Sequence, residues 1–389
     1  MKHFLLLSLF ILLFEWNTQA QINNHLLESN IELNDSIQES LCLDVYSNTF
    51  FKNNEYFNDI VTGYTLFGTQ LKTQLAYNIN PHVRIQAGLY ARKDFGNETI
   101  THIAPLLSIK LQKNGYSLLM GNLEGNVSHR LIEPLYDYER FMLKHVENGL
   151  QIKMDRKKIW ADTWMNWEVQ QYVNSTFQEQ FSAGHSSMTK LYTNEQKGYS
   201  FTLPIQLLVS HKGGQLDIDT TPLKTIANVA TGLVFQYKNK QQNQLLKTID
   251  VNFYLTHFND LSPTKTLRYT KGNGLLANVQ AMSKYDIGAA LCYWSGSQYI
   301  ASRGATLFQS EASIYGKQGY AEATRQLLFL RLLYQRRIFD ALNVDVRFEP
   351  FIDLNKQTFE YSYSVYLTYK KDFTLINLSN GKKRKNLQQ

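Results

Sequence analysis

The stretch 121–151, GNLEGNVSHRLIEPLYDYERFMLKHVENGLQ, concentrates side chains that could do chemistry. Glu133, Asp137, Glu139 and Glu147 offer paired carboxyls, the equipment of an acid/base cleavage such as glycoside hydrolysis. His129 and His145 with Glu133 are metal-ligating types, but no HExxH-type spacing joins them. Ser128 and His129 are adjacent, and neighbours on a strand point apart, so they form no catalytic dyad. Arg130, Arg140 and Lys144 interleave with the acids. Charges of both signs in one segment suit a narrow point of a pore, where they set what passes. On that expectation Arg130, Glu133, Asp137, Glu139, Arg140, Lys144 and Glu147 form a constriction. The chain is then no enzyme and needs no cofactor and no metal. Residues 131–138 and 141–146 are expected to make short helical turns.

A segment of this kind needs a wall around it, and the rest of the chain reads as wall. Val83, Ile85, Ala87, Leu89 and Ala91 alternate with Arg84, Gln86, Gly88, Tyr90 and Arg92. Leu342, Val344, Val346 and Phe348 alternate with Asn343, Asp345, Arg347 and Glu349. A strand sends successive side chains to opposite faces, so each run has an apolar and a polar side. Such runs recur from residue 42 to 373, broken by turn signals such as Asn80-Pro81 and Asn114-Gly115. The pattern predicts an all-β fold, a transmembrane antiparallel β-barrel of about sixteen to eighteen strands. The polar stretches 184–197, 212–228 and 260–272 are expected as outward loops, and 306–316 as a strand. Trp160 and Trp164 share a face and Trp167 takes the other; an aromatic girdle is the expectation, with sugar stacking as the alternative.

The ends and the composition agree. Lys2 and His3, the apolar run 4–14 and Thr18-Gln19-Ala20 form a secretory signal over residues 1–20. A polar lead-in over 21–40 precedes the barrel, 41–375, and a basic tail, 376–389, follows it. No later stretch offers eighteen apolar residues, so a helical span is excluded and residence in a membrane must use strands. Cys42 and Cys292 are too few for a disulfide scaffold. With 24 Tyr and 22 Phe the chain has aromatics for girdles at both membrane boundaries. The net charge of +7 comes partly from Lys382, Lys383, Arg384 and Lys385, and export argues against nucleic acid as a partner.

If the apolar face meets lipid, the other lines a lumen. Arg84, Arg92, Lys110, Lys153, Arg331 and Arg347 then point inward, with Asp162, Asp345, Glu349 and other acids among them. This favours a water-filled channel for small hydrophilic solutes, either with a lean toward anions or with the charges paired across the wall and little net field.

With these residues in view the chain resembles the Gram-negative outer-membrane β-barrels of porin-like type. The core HRLIEPLYDYER and Glu147-Asn148-Gly149-Leu150-Gln151 are part of the resemblance. It implies an outer-membrane location after export, lipid and lipopolysaccharide as surroundings, and the barrel-assembly machinery as a partner. It departs at the end: the last strand closes near Phe373, and further residues follow. The alternatives are a barrel that is an enzyme or a plugged receptor using 121–151, and a soluble secreted β-rich binding protein.

Overall fold

The computed structural model describes residues 24–377 except 25, 31, 32, 34–38, 125, 126, 215, 217, 242 and 243. The expected signal and almost all of the basic tail lie outside the described residues. Sixteen antiparallel strands close into one barrel, each hydrogen-bonded to its sequence neighbours and β1 to β16. They are β1 (Ser40–Phe57), β2 (Thr62–Asn80), β3 (Val83–Asp94), β4 (His102–Lys113), β5 (Tyr116–Asn122), β6 (Asn148–Asp155), β7 (Ile159–Val169) and β8 (Gln180–Asn194). The circuit continues with β9 (Tyr199–Lys212), β10 (Lys224–Lys238), β11 (Leu246–Asp260), β12 (Lys271–Ser283), β13 (Ile287–Ser297), β14 (Thr324–Arg337), β15 (Leu342–Asp353) and β16 (Thr358–Asn377). Closure leaves no sheet edge, the condition for strands to cross a bilayer.

The alternation sets which side is which. On β3, Arg84, Gln86 and Tyr90 are buried, while Ile85 and Leu89 are exposed toward the outside. On β15, Asn343, Asp345, Arg347 and Glu349 are buried, while Val346 and Phe348 face out. The polar side is the interior and the apolar side the lipid face. Short turns and the chain ends share one end of the barrel, and the longer connections gather at the other, called here the outer end.

Two long outer connections fold back inside. Residues 123–147 leave β5 and return to β6, and carry a short helix, α1 (Arg140–Leu143). Leu131, Ile132, Leu135, Tyr136, Phe141 and Met142 in this connection are almost wholly buried. Residues 298–323 make 3-10 turns at Thr306–Phe308 and Tyr315–Lys317 and bury Tyr299, Ala301 and Phe308. The two join by backbone: the Asp137 N–H donates to the Arg303 carbonyl at 2.7 Å, and the Ala305 N–H to the Glu133 carbonyl at 3.0 Å. Together with inward residues of β7–β15, such as Trp164, Leu208, Tyr254, Trp294 and Phe351, they form an apolar core inside the barrel. The lead-in also turns inward: Leu27 is buried, and Tyr46 donates its hydroxyl hydrogen to the Leu27 carbonyl at 2.9 Å.

Because β5 and β6 are short, the wall is low where 123–147 turns in. The β4–β5 ladder stops at Ser108–Gly121 and the β6–β7 ladder at Gly149–Asn166. Three asparagines seal that step. Asn122 Oδ1 accepts from the Leu107 N–H at 2.5 Å, Asn122 Nδ2 donates to Asn148 Oδ1 at 2.6 Å, and the Asn148 N–H donates to Asn166 Oδ1 at 2.9 Å.

Three expectations need correction. Most of 184–197 is not a loop but part of β8, hidden from periodicity because its outward residues His185, Ser187 and Thr189 are not apolar. Residues 306–316 are not a strand. Thr306–Phe308 is a 3-10 turn, and it places Leu307 and Phe308 in the interior. Trp164 is not in a girdle but buried in the interior. There Gly184 makes room for it, since a Cβ at Gly184 would lie 2.3 Å from Trp164 Cζ2. Gly184→Val should therefore destabilise the barrel by about 1–3 kcal/mol, the usual cost of overpacking. Gly316→Ala, with nothing within 4 Å of the added carbon, should be neutral. Unfolding in denaturant with the protein in detergent compares the two.

Candidate functional site

The inward segment is fastened at one imidazole. The chain leaves β5 at mid-wall, and His129 and Arg130 both adopt left-handed backbone, φ 50° and 58°. Two such non-glycine residues in a row are costly, so side-chain contacts must hold the turn. His129 Nε2 lies 2.7 Å from Glu147 Oε2 and His129 Nδ1 lies 3.0 Å from Asp162 Oδ2 on β7. Its ring stacks on Trp164 with centroids 3.8 Å apart and planes 7° apart. Tyr136 donates its hydroxyl hydrogen to Glu147. Burial alone would push the imidazole toward its neutral form, but Glu147 and Asp162 more than offset it and lift the pKa to about 9. Beside it, Arg130 stacks on Trp160 at 4.0 Å.

Deeper in the lumen Glu124 meets Lys110 at 2.8 Å and Lys153 at 2.9 Å. Burial opposes its ionisation, yet the two lysines hold its pKa down at about 2. On the opposite face of the segment His145 is buried between Tyr46 and Tyr90, stacked at 5.1 and 5.3 Å. Burial, and then the charge of Lys72, drive it down to about 3, so it is neutral. Neither histidine meets Glu133 in a metal site, and no group of metal-ligating residues occurs among the described residues.

Two of the remaining acids of the segment, Glu133 and Glu139, meet cations from two strands at the outer end. Arg331 on β14 grips Glu133 with both terminal nitrogens, at 2.8 and 2.6 Å, and reaches Glu349 at 3.3 Å. Lys52 on β1 pairs with Glu139 at 2.8 Å and hydrogen-bonds the Tyr138 hydroxyl. Tyr64 donates to Glu139, and Asn54 Nδ2 donates to it at 3.3 Å. Arg331, Glu133, Glu349, Lys52, Glu139, Tyr138 and Tyr64 line a cavity of about 40 Å³. A water takes about 30 Å³ in the liquid, so the space has room for a water. Asp137 also lines it. It accepts the Glu139 N–H at 2.9 Å and pairs with no cation among the described residues. Burial first, then the charge of Glu139, raise its pKa to about 7. A half-buried carboxyl that ionises near neutrality beside a water-sized space can take a proton from water.

The expected residues are thus brought inside, but not as one ring. Glu133, Asp137 and Glu139 share the cavity, Glu147 belongs to the histidine clamp, and Arg140 reaches Glu168 at 3.5 Å. Lys144, largely exposed, sits at the rim 3.9 Å from the same Glu168. The expected lumen charges do face inward, and they are partnered. Arg84 meets Asp372 at 3.0 Å, Arg347 meets Asp345 at 2.6 Å, and Arg92 donates to the Met142 carbonyl at 3.1 Å. Lys52, Tyr64 and Tyr138 were not anticipated. Lys52 could have been found by continuing the Tyr46–Asn48–Phe50 parity of β1 past Phe51.

A family described as lipid A 3'-O-deacylase-type matches residues 32–378. The chain belongs to this family. Its name is that of an enzyme family, so the expectation that the chain is no enzyme is overturned. The fault lay in reading a charged inward segment only as a filter. No curated protein matches the sequence. Among solved structures, a loop-deletion form of OmpT, an outer-membrane protein of Vibrio cholerae, is similar at 10% identity with a TM-score of 0.51. That match covers 85% of this chain and 100% of that one. OprD from Pseudomonas aeruginosa is 10% identical with a TM-score of 0.49, over 87% of this chain and 95% of that one. At such identity the likeness shows the fold, and the deacylase-type barrel shares it with Gram-negative outer-membrane proteins, as the sequence resemblance implied.

His129 carries a pH dependence. Its pKa is raised above the ordinary 6.5 in the folded state, so its contribution is complete below that value and is lost as pH rises through about 9. The shift corresponds to on the order of 3 kcal/mol. The thermal midpoint in detergent should fall between pH 7 and pH 10. His129→Gln should lower it at pH 7 and remove most of that fall.

Proposed function

We propose that this chain is an outer-membrane hydrolase that cleaves an ester-linked acyl chain from a glycolipid of the lipid A type. The observation that carries this is the outer-end cavity of a deacylase-type barrel, where Asp137 ionises near pH 7 beside Lys52 and Arg331. In this scheme Asp137 takes a proton from a water in the cavity, and the water oxygen attacks the ester carbonyl. The charges of Lys52 and Arg331 favour the oxyanion that develops. Collapse breaks the bond to the sugar oxygen, which receives the proton from Asp137. A fatty acid and a sugar hydroxyl result. Glu139 and Tyr138 position Lys52; Glu133 and Glu349 position Arg331.

Lipopolysaccharide and lipid, expected from the sequence as surroundings, become on this reading the source of substrate at the outer leaflet. Export by the N-terminal segment and insertion by the barrel-assembly machinery are part of the proposal. Passive diffusion of small hydrophilic solutes, the first expectation, draws support from the barrel alone, and one fold houses unrelated functions. The inward segments and their apolar core favour the enzyme instead.

The test is mass spectrometry of lipid A recovered from vesicles after incubation with the refolded chain. Loss of one acyl chain is expected, at a rate that rises with pH through about 7 as Asp137 ionises. Asp137→Asn should retain the fold and lower the rate by ~10²–10⁴-fold, the usual worth of a general base. Wild-type activity in that variant would rule out the assignment.

A further inference from the structure

A second cavity, of about 330 Å³, opens at the outer end on the side of β8–β10. That is within the range of small-molecule sites. Its wall carries one transverse row of inward residues: Gln180 opposite Lys212, and Lys212 opposite Lys224. Like charges facing each other across neighbouring strands are destabilising. Among the described residues neither lysine forms an ion pair. Arg303 reaches the same cavity from the inward connection. Glu311 is the one carboxylate in the lining, against three cations. The nearby Asp260, buried on β11, accepts the Ser262 N–H at 2.8 Å and has Lys265 at 3.9 Å; with Glu311 it offsets only part of the positive charge at Lys224. Arg303 is held in place by Glu168 at 2.8 Å, so its position is fixed, while no ion pair holds either lysine among the described residues.

We infer that this cavity is a binding site for a phosphate monoester, with Lys212 and Lys224 as its principal ligands and Arg303 at its edge. An anion between the lysines relieves their repulsion, and the hydroxyls of Ser302 and Ser313 in the lining suit a phosphate or an attached sugar. The phosphate could belong to a lipid headgroup or to a soluble ester. The site deepens the hydrolase reading by giving its substrate an anchor beside the reaction cavity, but it needs no turnover to be observed.

The full mature chain, refolded in a phosphate-free detergent, is titrated with inorganic phosphate and with glucosamine 1-phosphate by calorimetry. In parallel it is placed in nanodiscs of phosphatidylcholine with or without lipid A, and lipid retention is measured. Lys224→Glu gives Lys212 a partner and should leave the thermal midpoint unchanged or higher, so loss of binding in it is not loss of fold. Saturable binding of either soluble probe, weakened at least tenfold in Lys224→Glu and Lys212→Gln, supports the site with a soluble source. Retention of lipid A alone, reduced equally by the variants, supports it with a headgroup source. Asp137→Asn should bind as the wild type does, which separates failure of this site from failure of the hydrolysis. Absence of saturable binding to any probe, or binding unaltered by both lysine variants, overturns the proposal.

Discussion

An imidazolium held between Glu147 and Asp162 decides what this barrel is. The wall alone, with its apolar outside and polar inside, would enclose a wide aqueous space, as barrels of sixteen strands do. His129 ties the inward segment to β7 on one side and to its own return into β6 on the other, with Trp164 beneath the ring. Fixing that point fixes where Ile132, Leu135 and Tyr136 pack, and so where Glu133, Asp137 and Glu139 are delivered. The cavity at the outer end follows from the clamp.

Burying this many charges is costly unless each is matched. The matching here is specific in geometry: a bidentate grip of Arg331 on Glu133, one lysine between Glu139 and Tyr138, two lysines on Glu124. Among the described residues Asp137, Lys212 and Lys224 form no ion pair. Asp137, held up by burial and then by the charge of Glu139, titrates near neutrality. Lys212 and Lys224 face each other, and neither forms an ion pair among the described residues. The rest of the interior holds these two places still.

The wall was legible from alternation, because lipid on one side and polar groups on the other impose period two on each strand. β8 escaped, since His185, Ser187 and Thr189 put polarity on its outer face. The interior was legible only in part. The segment 121–151 stood out by its charge density, and its inward course was expected, yet its partners lie on β1, β7, β14 and β15. Which acid meets which cation is set by barrel registry, which no local pattern records. The connection 298–323 gave no charge signal, and Leu307–Phe308 looked like strand because both residues are apolar. The inference from charged segment to filter failed for a related reason: carboxyls that select ions and carboxyls that activate water are the same residues, and only burial and pairing tell them apart.

The most direct measurement is the conductance of the refolded wild-type chain in a planar bilayer at neutral pH, beside a variant lacking residues 127–145. A barrel whose interior is a packed site gives no stable steps until the inward segment is removed, and steps appear in the deletion. Stable open steps from the wild type would contradict the account, since they require a continuous aqueous path where the clamp and the apolar core lie.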